Sequence, residues 1–249
     1  MTEKVAAVIT SYNMWERTAS LAEYIGTHCS WPCDVIVVDN GSDLAPPYFR
    51  TAVRLRENVQ VTAGWLMGLA YADHLARKHG PYFAYWILIT STEFVGGDPL
   101  TPMCELLMRD PNAVGVHPAL TDDSTTSWEH LKARGGEPRQ TWMLDNIAAL
   151  YRADWFDGIG RFDPRYVYAW GPDLETGLIA RREGRTLWVH EGCRAKKVTD
   201  IAYRMNRMGM TAERRRELAG QNMRAVFAEK YGPGFWQTVT EEGVAEALR

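Results

Sequence analysis

No apolar run in the chain approaches the roughly 20 residues that a membrane span needs. Its amino terminus, MTEKVAAVITSYN, passes straight into a strand pattern, not a cleavable leader. Both absences lead us to expect a soluble, cytoplasmic protein with no transmembrane segment. Cysteine is scarce. Cys29 and Cys33 are close, but Cys104 and Cys193 are not, so no second pair completes a tetrahedral zinc site, and all four read as free thiols of a reducing compartment. A dominant charge is missing too: the formal net charge is -3, which gives no global attraction to nucleic acid or anionic membrane. There is no internal repeat and no low-complexity segment.

What is present is a chain of 249 residues, long enough for one α/β domain with a substantial core plus an appendage. It carries 10 tryptophans, and aromatic faces that are not core can stack on sugar rings and bases. The segment VIVVDNGSD at 35–43 is the most informative. Four apolar residues predict a central parallel strand, and the polar cluster after it lies at the strand's carboxyl end, where open α/β sheets bind ligands. Asp39 and Asn40 are placed there to read a polar ligand, with Gly41 permitting close backbone approach. Residues 5–9 form a second such strand, ending at Thr10, Ser11, Tyr12 and Asn13. Between the two, Leu21, Tyr24 and Ile25 fit a helix packed on the sheet, which makes a right-handed crossover.

Further on, the pattern predicts a strand at 53–55, a turn from Asn58 to Gly64 and a helix from Trp65 to Lys78. Gly64 suits either phosphate contact at a helix start or, like Gly68, close helix packing. AYWILI at 84–89 is the next strand. A helix at 98–108 and a strand at 114–117 follow, then a polar loop over 121–140 whose length suits a functional lid or a disordered segment. Order resumes at 147–156, with a helix over 173–182 and a strand over 186–189 closing the core. Beyond residue 200, Ala219, Met223, Val226 and Phe227 recur with helical spacing, so residues 1–200 and 201–249 read as a main domain and a helical extension. The basic residues of the extension, Arg204, Arg207, Arg214, Arg215, Arg216, Arg224 and Lys230, read as a solvated face or as one that steers an anionic acceptor or membrane surface.

SYN at 11–13, VVDNGSD at 37–43, REN at 56–58, TAGWLMG at 62–68, GRFDPRY at 160–166 and GPDLE at 171–175 occur in the order and spacing of a known family. Over about residues 4–200 the chain resembles the family 2 inverting glycosyltransferases of the GT-A fold. The resemblance implies an α/β protein with a GT-A, Rossmann-like mixed sheet flanked by helices. It also implies transfer of a sugar, with inversion, from a nucleoside diphosphate sugar, usually uridine-based, to an acceptor hydroxyl. Asp173 matches the family's catalytic base, although Pro172 replaces the acid that usually precedes it. A carboxylate there also suits a helix start. Asp39 would read the base edge, since a carboxylate accepts from the uracil N–H. Ser11, Tyr12 and Asn13 would lie near base and ribose, and Asn40, Asn58 and Gly64 would flank the nucleotide. Trp65 and Trp170 would border sugar or acceptor, and Glu175 would contact the acceptor.

The chain departs from the family at the leaving group. ITSTEF puts Ser91 or Thr92 where relatives carry a metal-binding carboxylate, with Glu93 the one acid nearby. The family's late histidine falls near Lys196, and His190 comes too early. One glutamate is a poor cage for manganese or magnesium, so a divalent metal held by Glu93 competes with a second expectation, that Lys196 or Lys197 supplies the positive charge. An ammonium 4 Å from a phosphate is worth about 4 kcal/mol at an effective dielectric near 20. A glycan, a metabolite, a protein or a modified nucleobase on DNA all fit as acceptor. A nucleotidyltransferase would want a glycine-rich loop after the first strand, which SYNMWERT lacks. A non-catalytic nucleotide-sugar or glycan-binding module stays open as the alternative.

Overall fold

The computed structural model describes residues 3–44, 46–198 and 210–247. Its first half is a parallel sheet. β1 (Val5–Ser11) is followed by α1 (Trp15–His28), β2 (Cys33–Asp39), β3 (Thr51–Arg54), α2 (Gln60–His79) and β4 (Ala84–Ile89). Every residue of β1 is buried because helices cover both of its faces. Val5, Ala7 and Ile9 pack with Leu21, Ala22 and Ile25 of α1, whereas Ala6 and Val8 pack with Trp65, Leu69 and Ala72 of α2. The two-residue period of a strand divides one apolar run between two cores.

The second half turns the sheet mixed. β5 (Thr92–Val95), α3 (Leu100–Arg109), β6 (Ala113–Leu120), β7 (Arg139–Thr141), β8 (Ala148–Arg152), α4 (Ala153–Gly158), α5 (Pro172–Arg182) and β9 (Thr186–Lys197) complete it. The strand order is β3-β2-β1-β4-β8-β6-β9-β5, with β7 on β9. β8 runs antiparallel to both β4 and β6, and β9 runs parallel to β6. In register, Ser11 faces Asp39 and Thr10 faces Ile89, so β1, β2 and β4 end side by side at one edge. The crevice expected from the sequence opens there.

Several elements differ from their sequence patterns. α2 begins at Gln60, so Gly64 lies inside the helix instead of at its start. β9 extends to Lys197, well past the expected end at 189. Its second half is mixed in polarity because Glu191 is buried within it, satisfied by Arg139 Nε at 2.8 Å and by the backbone N–H groups of Arg134 and Gly135 at 3.0 Å. Lys196 and Lys197 therefore stand in a strand, opposite Glu93 and Thr92 of β5, not in a loop. The 121–140 segment is pinned by these same Glu191 bonds and carries a 3-10 turn, Glu129–Leu131, with buried His130 and Leu131.

Two carboxyl-terminal helices, α6 (Ala212–Tyr231) and α7 (Phe235–Ala247), pack on α5. The residues at 219, 223, 226 and 227 are buried as their spacing requires, and Met223, Val226 and Phe227 share one cluster with Trp142, Tyr166, Leu174 and Leu178. Gly243 makes room for the Trp142 indole, since a Cβ there would lie 2.2 Å from Cε3. Thr211 caps α6 by accepting from Arg214 N at 3.1 Å. Arg204 and Arg207 lie outside the described residues. No helix among those described is long and apolar enough to cross a membrane.

Candidate active site

The tips of β1 and β2 divide their side chains between two hollows, following the strand alternation. Ser11, Asn13, Asp39 and Ser42 line a narrow cleft closed by Pro46, Pro47 and Tyr48. Thr10, Tyr12 and Asn40 line a larger cavity of about 640 Å³, together with Asn58, Ser91, Asp145, Trp170, Asp173 and Lys197. Asp39 is 2% exposed. Its Oδ2 makes no hydrogen bond, and the Arg54 guanidinium across the β2–β3 pairing lies 3.7 Å away. A buried carboxylate oxygen without a donor is costly unless a ligand supplies one.

Several expected ligand contacts are occupied by the protein itself. Asn13, at φ 54°, binds the β2 loop through Ser42 Oγ, Asp43 N, Leu44 N and Asp43 Oδ1. Asn40 clasps the start of α2, accepting from Val59 N at 2.9 Å and donating to Gln60 O at 3.0 Å. Asn58 Oδ1 accepts from Gln60 N at 2.8 Å. The close approach at Gly41 is to the Glu57 backbone, 2.3 Å from where a Cβ would lie, with φ at +74°. Gly64 packs on Thr10, whose Cγ2 would be 2.6 Å from a Cβ. Phosphate contact at Gly64 is thereby corrected to helix packing, because the residue is buried inside α2.

Asp173 stands in the first turn of α5, just after a loop of unusual backbone. Ala169 has φ 66° and Gly171 has φ +109°, with no space for a Cβ beside the Tyr166 ring. This left-handed backbone turns Trp170 outward, 40% exposed at the cavity wall. Asp173 Oδ1 accepts from Gly171 N at 3.1 Å and Leu174 N at 2.9 Å, which leaves Oδ2 for the cavity. Burial, reinforced by the negative charge of nearby Asp145, pushes its pKa up to about 7.

Asp145 and its neighbour Asn146 carry no family motif and escaped the sequence reading; the polar pair interrupting the apolar stretch WMLDNIAAL was the available signal. Asp145 Oδ2 accepts from Lys197 Nζ at 3.1 Å. Asn146 Oδ1 accepts from Tyr151 OH at 2.8 Å, while its buried Nδ2 makes no hydrogen bond at the cavity wall. Trp128, Arg215 and Arg216 also line the cavity. Trp65 lines it with a 2% exposed ring whose Nε1 donates to Leu88 O.

The remaining candidates face elsewhere. Thr92 Oγ1 donates to Ile147 O at 2.8 Å. Glu93 is ion-paired with Arg17 at 3.1 Å, and Lys196 pairs with Asp123; neither borders the cavity, because their strand positions alternate away from it. The expected role of Lys196 on the leaving group is corrected accordingly, and Lys197 is the one of the two that reaches the cavity. Glu175 is corrected as an acceptor contact. It is 4% exposed and anchors α6, accepting from Tyr231 OH at 2.7 Å and pairing with Lys230 at 2.5 Å.

These donors do not fit a divalent metal. Ser91 and Thr92 offer only hydroxyls, Glu93 is turned to Arg17, and Asp145 is held by Lys197. Among the described residues no group of three or more His, Cys, Asp or Glu is placed to hold one.

No family model and no curated protein matches the sequence. Among solved structures, the chain is similar to one described as the crystal structure of GalNAc-T7 with UDP, GalNAc and Mn2+, at 12% identity and a TM-score of 0.61. The match covers 79% of this chain and 44% of that one, so the chain spans less than half of its neighbour's length. The architecture is thus that of a GT-A-like fold, a large mixed sheet flanked by helices.

Proposed function

We propose that the protein is an inverting glycosyltransferase that moves a sugar from a UDP-sugar to an acceptor hydroxyl, with Asp173 as the base and without a metal. The observation that carries this reading is Asp173 itself: a buried carboxylate with a free oxygen, in the same cavity as Tyr12 from the β1 tip and Lys197 from the end of β9. A base with a pKa near 7 is strong enough to take the acceptor proton as attack proceeds, yet is half ionised at neutral pH. The hydroxyl oxygen bonds to the anomeric carbon, the bond from that carbon to the diphosphate oxygen breaks, and the proton passes to Asp173 Oδ2.

The departing diphosphate gains charge and needs a cation. An ammonium carries three donors. Lys197 spends one on Asp145, which holds it in place, and presents the others to the phosphate. Asp39, with its undonated oxygen, is suited to the uracil N–H, and the 12% identical neighbour contains UDP. The donors present among the described residues do not fit a metal cage, which supports a metal-free reaction.

The test is thermal shift with UDP, other nucleotides and EDTA, paired with turnover of UDP-sugars. Selective stabilisation by UDP that survives chelation is expected, with turnover lost in Asp173→Asn while UDP binding is kept. Stabilisation by no nucleotide would overturn the donor assignment. Turnover restored only by manganese or magnesium would overturn the lysine's role, and an unaffected Asp173→Asn would leave a binding module.

A further inference from the structure

Among the described residues, the charges around the cavity do not cancel. Asp145 and Lys197 neutralise each other, and Asp173 is the only other described carboxylate on the wall, whereas Arg215 and Arg216 both line it from the start of α6. Arg215 is partly buried and makes no ion pair with a carboxylate among the described residues. Its electrostatic neighbour is the Tyr168 side chain, and burial lowers its pKa. A partly buried guanidinium without an anionic partner carries a desolvation cost that a bound anion would offset.

We propose that Arg215, assisted by Arg216, is a subsite for a negatively charged group on the acceptor, a phosphate or a carboxylate. This deepens the glycosyltransferase reading and rests on it. The assignment to the acceptor instead of the donor follows from which elements build the wall. Arg215 neighbours Tyr168, in the loop that presents Trp170 and leads into Asp173. The acceptor hydroxyl must reach Asp173, so the remainder of the acceptor lies along that loop. The nucleotide side is built by other elements, the tips of β1 and β2. A planar guanidinium matches the paired oxygens of carboxylate or phosphate, and Arg216 adds a second positive charge.

The experiment measures binding of inorganic phosphate by thermal shift at constant ionic strength, with and without saturating UDP, to the wild-type chain, Arg215→Ala and Arg215→Lys. Phosphate and UDP are expected to stabilise the wild type additively. Arg215→Ala should weaken phosphate binding about tenfold or more with UDP affinity unchanged, and Arg215→Lys should lose less. A similar midpoint for the unliganded variants confirms folding, and Arg215→Lys carries the comparison if the alanine variant is unstable. Phosphate binding that is undetectable, equal in Arg215→Ala, or competitive with UDP would overturn the proposal, as would a fall in UDP affinity of the same size. If UDP has no effect while phosphate binding still depends on Arg215, the donor assignment falls and the anion subsite stands.

Discussion

Replacing Asp173 by asparagine should stabilise the protein while abolishing its turnover, and the stabilisation should grow with pH. The carboxyl's pKa rises from an ordinary value of 3.8 to about 7 in the fold. Below 3.8 the group is protonated in both folded and unfolded chains and favours neither. As pH rises towards 7, the unfolded chain ionises first, so the folded state is progressively disfavoured, and above 7 the full penalty of about 4 kcal/mol applies. Asparagine does not titrate, and its side-chain oxygen can still accept from Gly171 N and Leu174 N. Its own burial cost is independent of pH and drops out of a comparison between two pH values. The advantage of the variant over wild type should therefore increase by about 2–3 kcal/mol between pH 5 and pH 8, or about 5–10 °C in Tm for a chain of this size. Differential scanning calorimetry across pH 5–9 measures it. A difference that is flat, or that shrinks with rising pH, would refute the burial argument. In the wild type, transfer should accelerate as pH rises through about 7, because only the ionised form accepts a proton.

Asp39→Ala should weaken UDP binding by about tenfold to a hundredfold in titration calorimetry, the value of a hydrogen bond to a charged acceptor; unchanged affinity would remove Asp39 from the base site. Gly68→Ala should cost about 1–3 kcal/mol in urea unfolding, because the new Cβ would sit 2.3 Å from Val8 Cγ1 and 3.1 Å from Val38 Cγ2. A neutral result there would mean that α2 can lift from β1 without loss.

The parallel half of the sheet was legible because its signals are local. A fully covered strand must be apolar along its whole length, and the loop after it must turn polar where burial ends, so 35–43 and 5–13 announced the strands and their polar tips, whereas the one crevice expected of them is divided between the cleft at Asp39 and the cavity at Asp173. The second half of β9 was not legible. HEGCRAKK has no apolar run, and it is held as a strand by pairing with β5 and β6, while Arg139 and two backbone N–H groups from a distant loop satisfy its buried Glu191. The same reason hid the difference between Lys196 and Lys197: in a loop they are equivalent, whereas in a strand the side-chain period sends one towards Asp123 and the other towards Asp145.

The residues alone determined the fold class, the polar strand tips and the position of Asp173 at a helix start, since each follows from neighbours a few positions away. Tertiary structure decided which polar groups remain for a ligand. Asn13, Asn40 and Glu175 are consumed by contacts to remote segments, while Asp39 Oδ2 and Asn146 Nδ2 are left without hydrogen bonds, and Asp145 is brought beside Asp173. Hydrogen-bond satisfaction and charge proximity depend on what the folded chain places nearby, which no local pattern encodes.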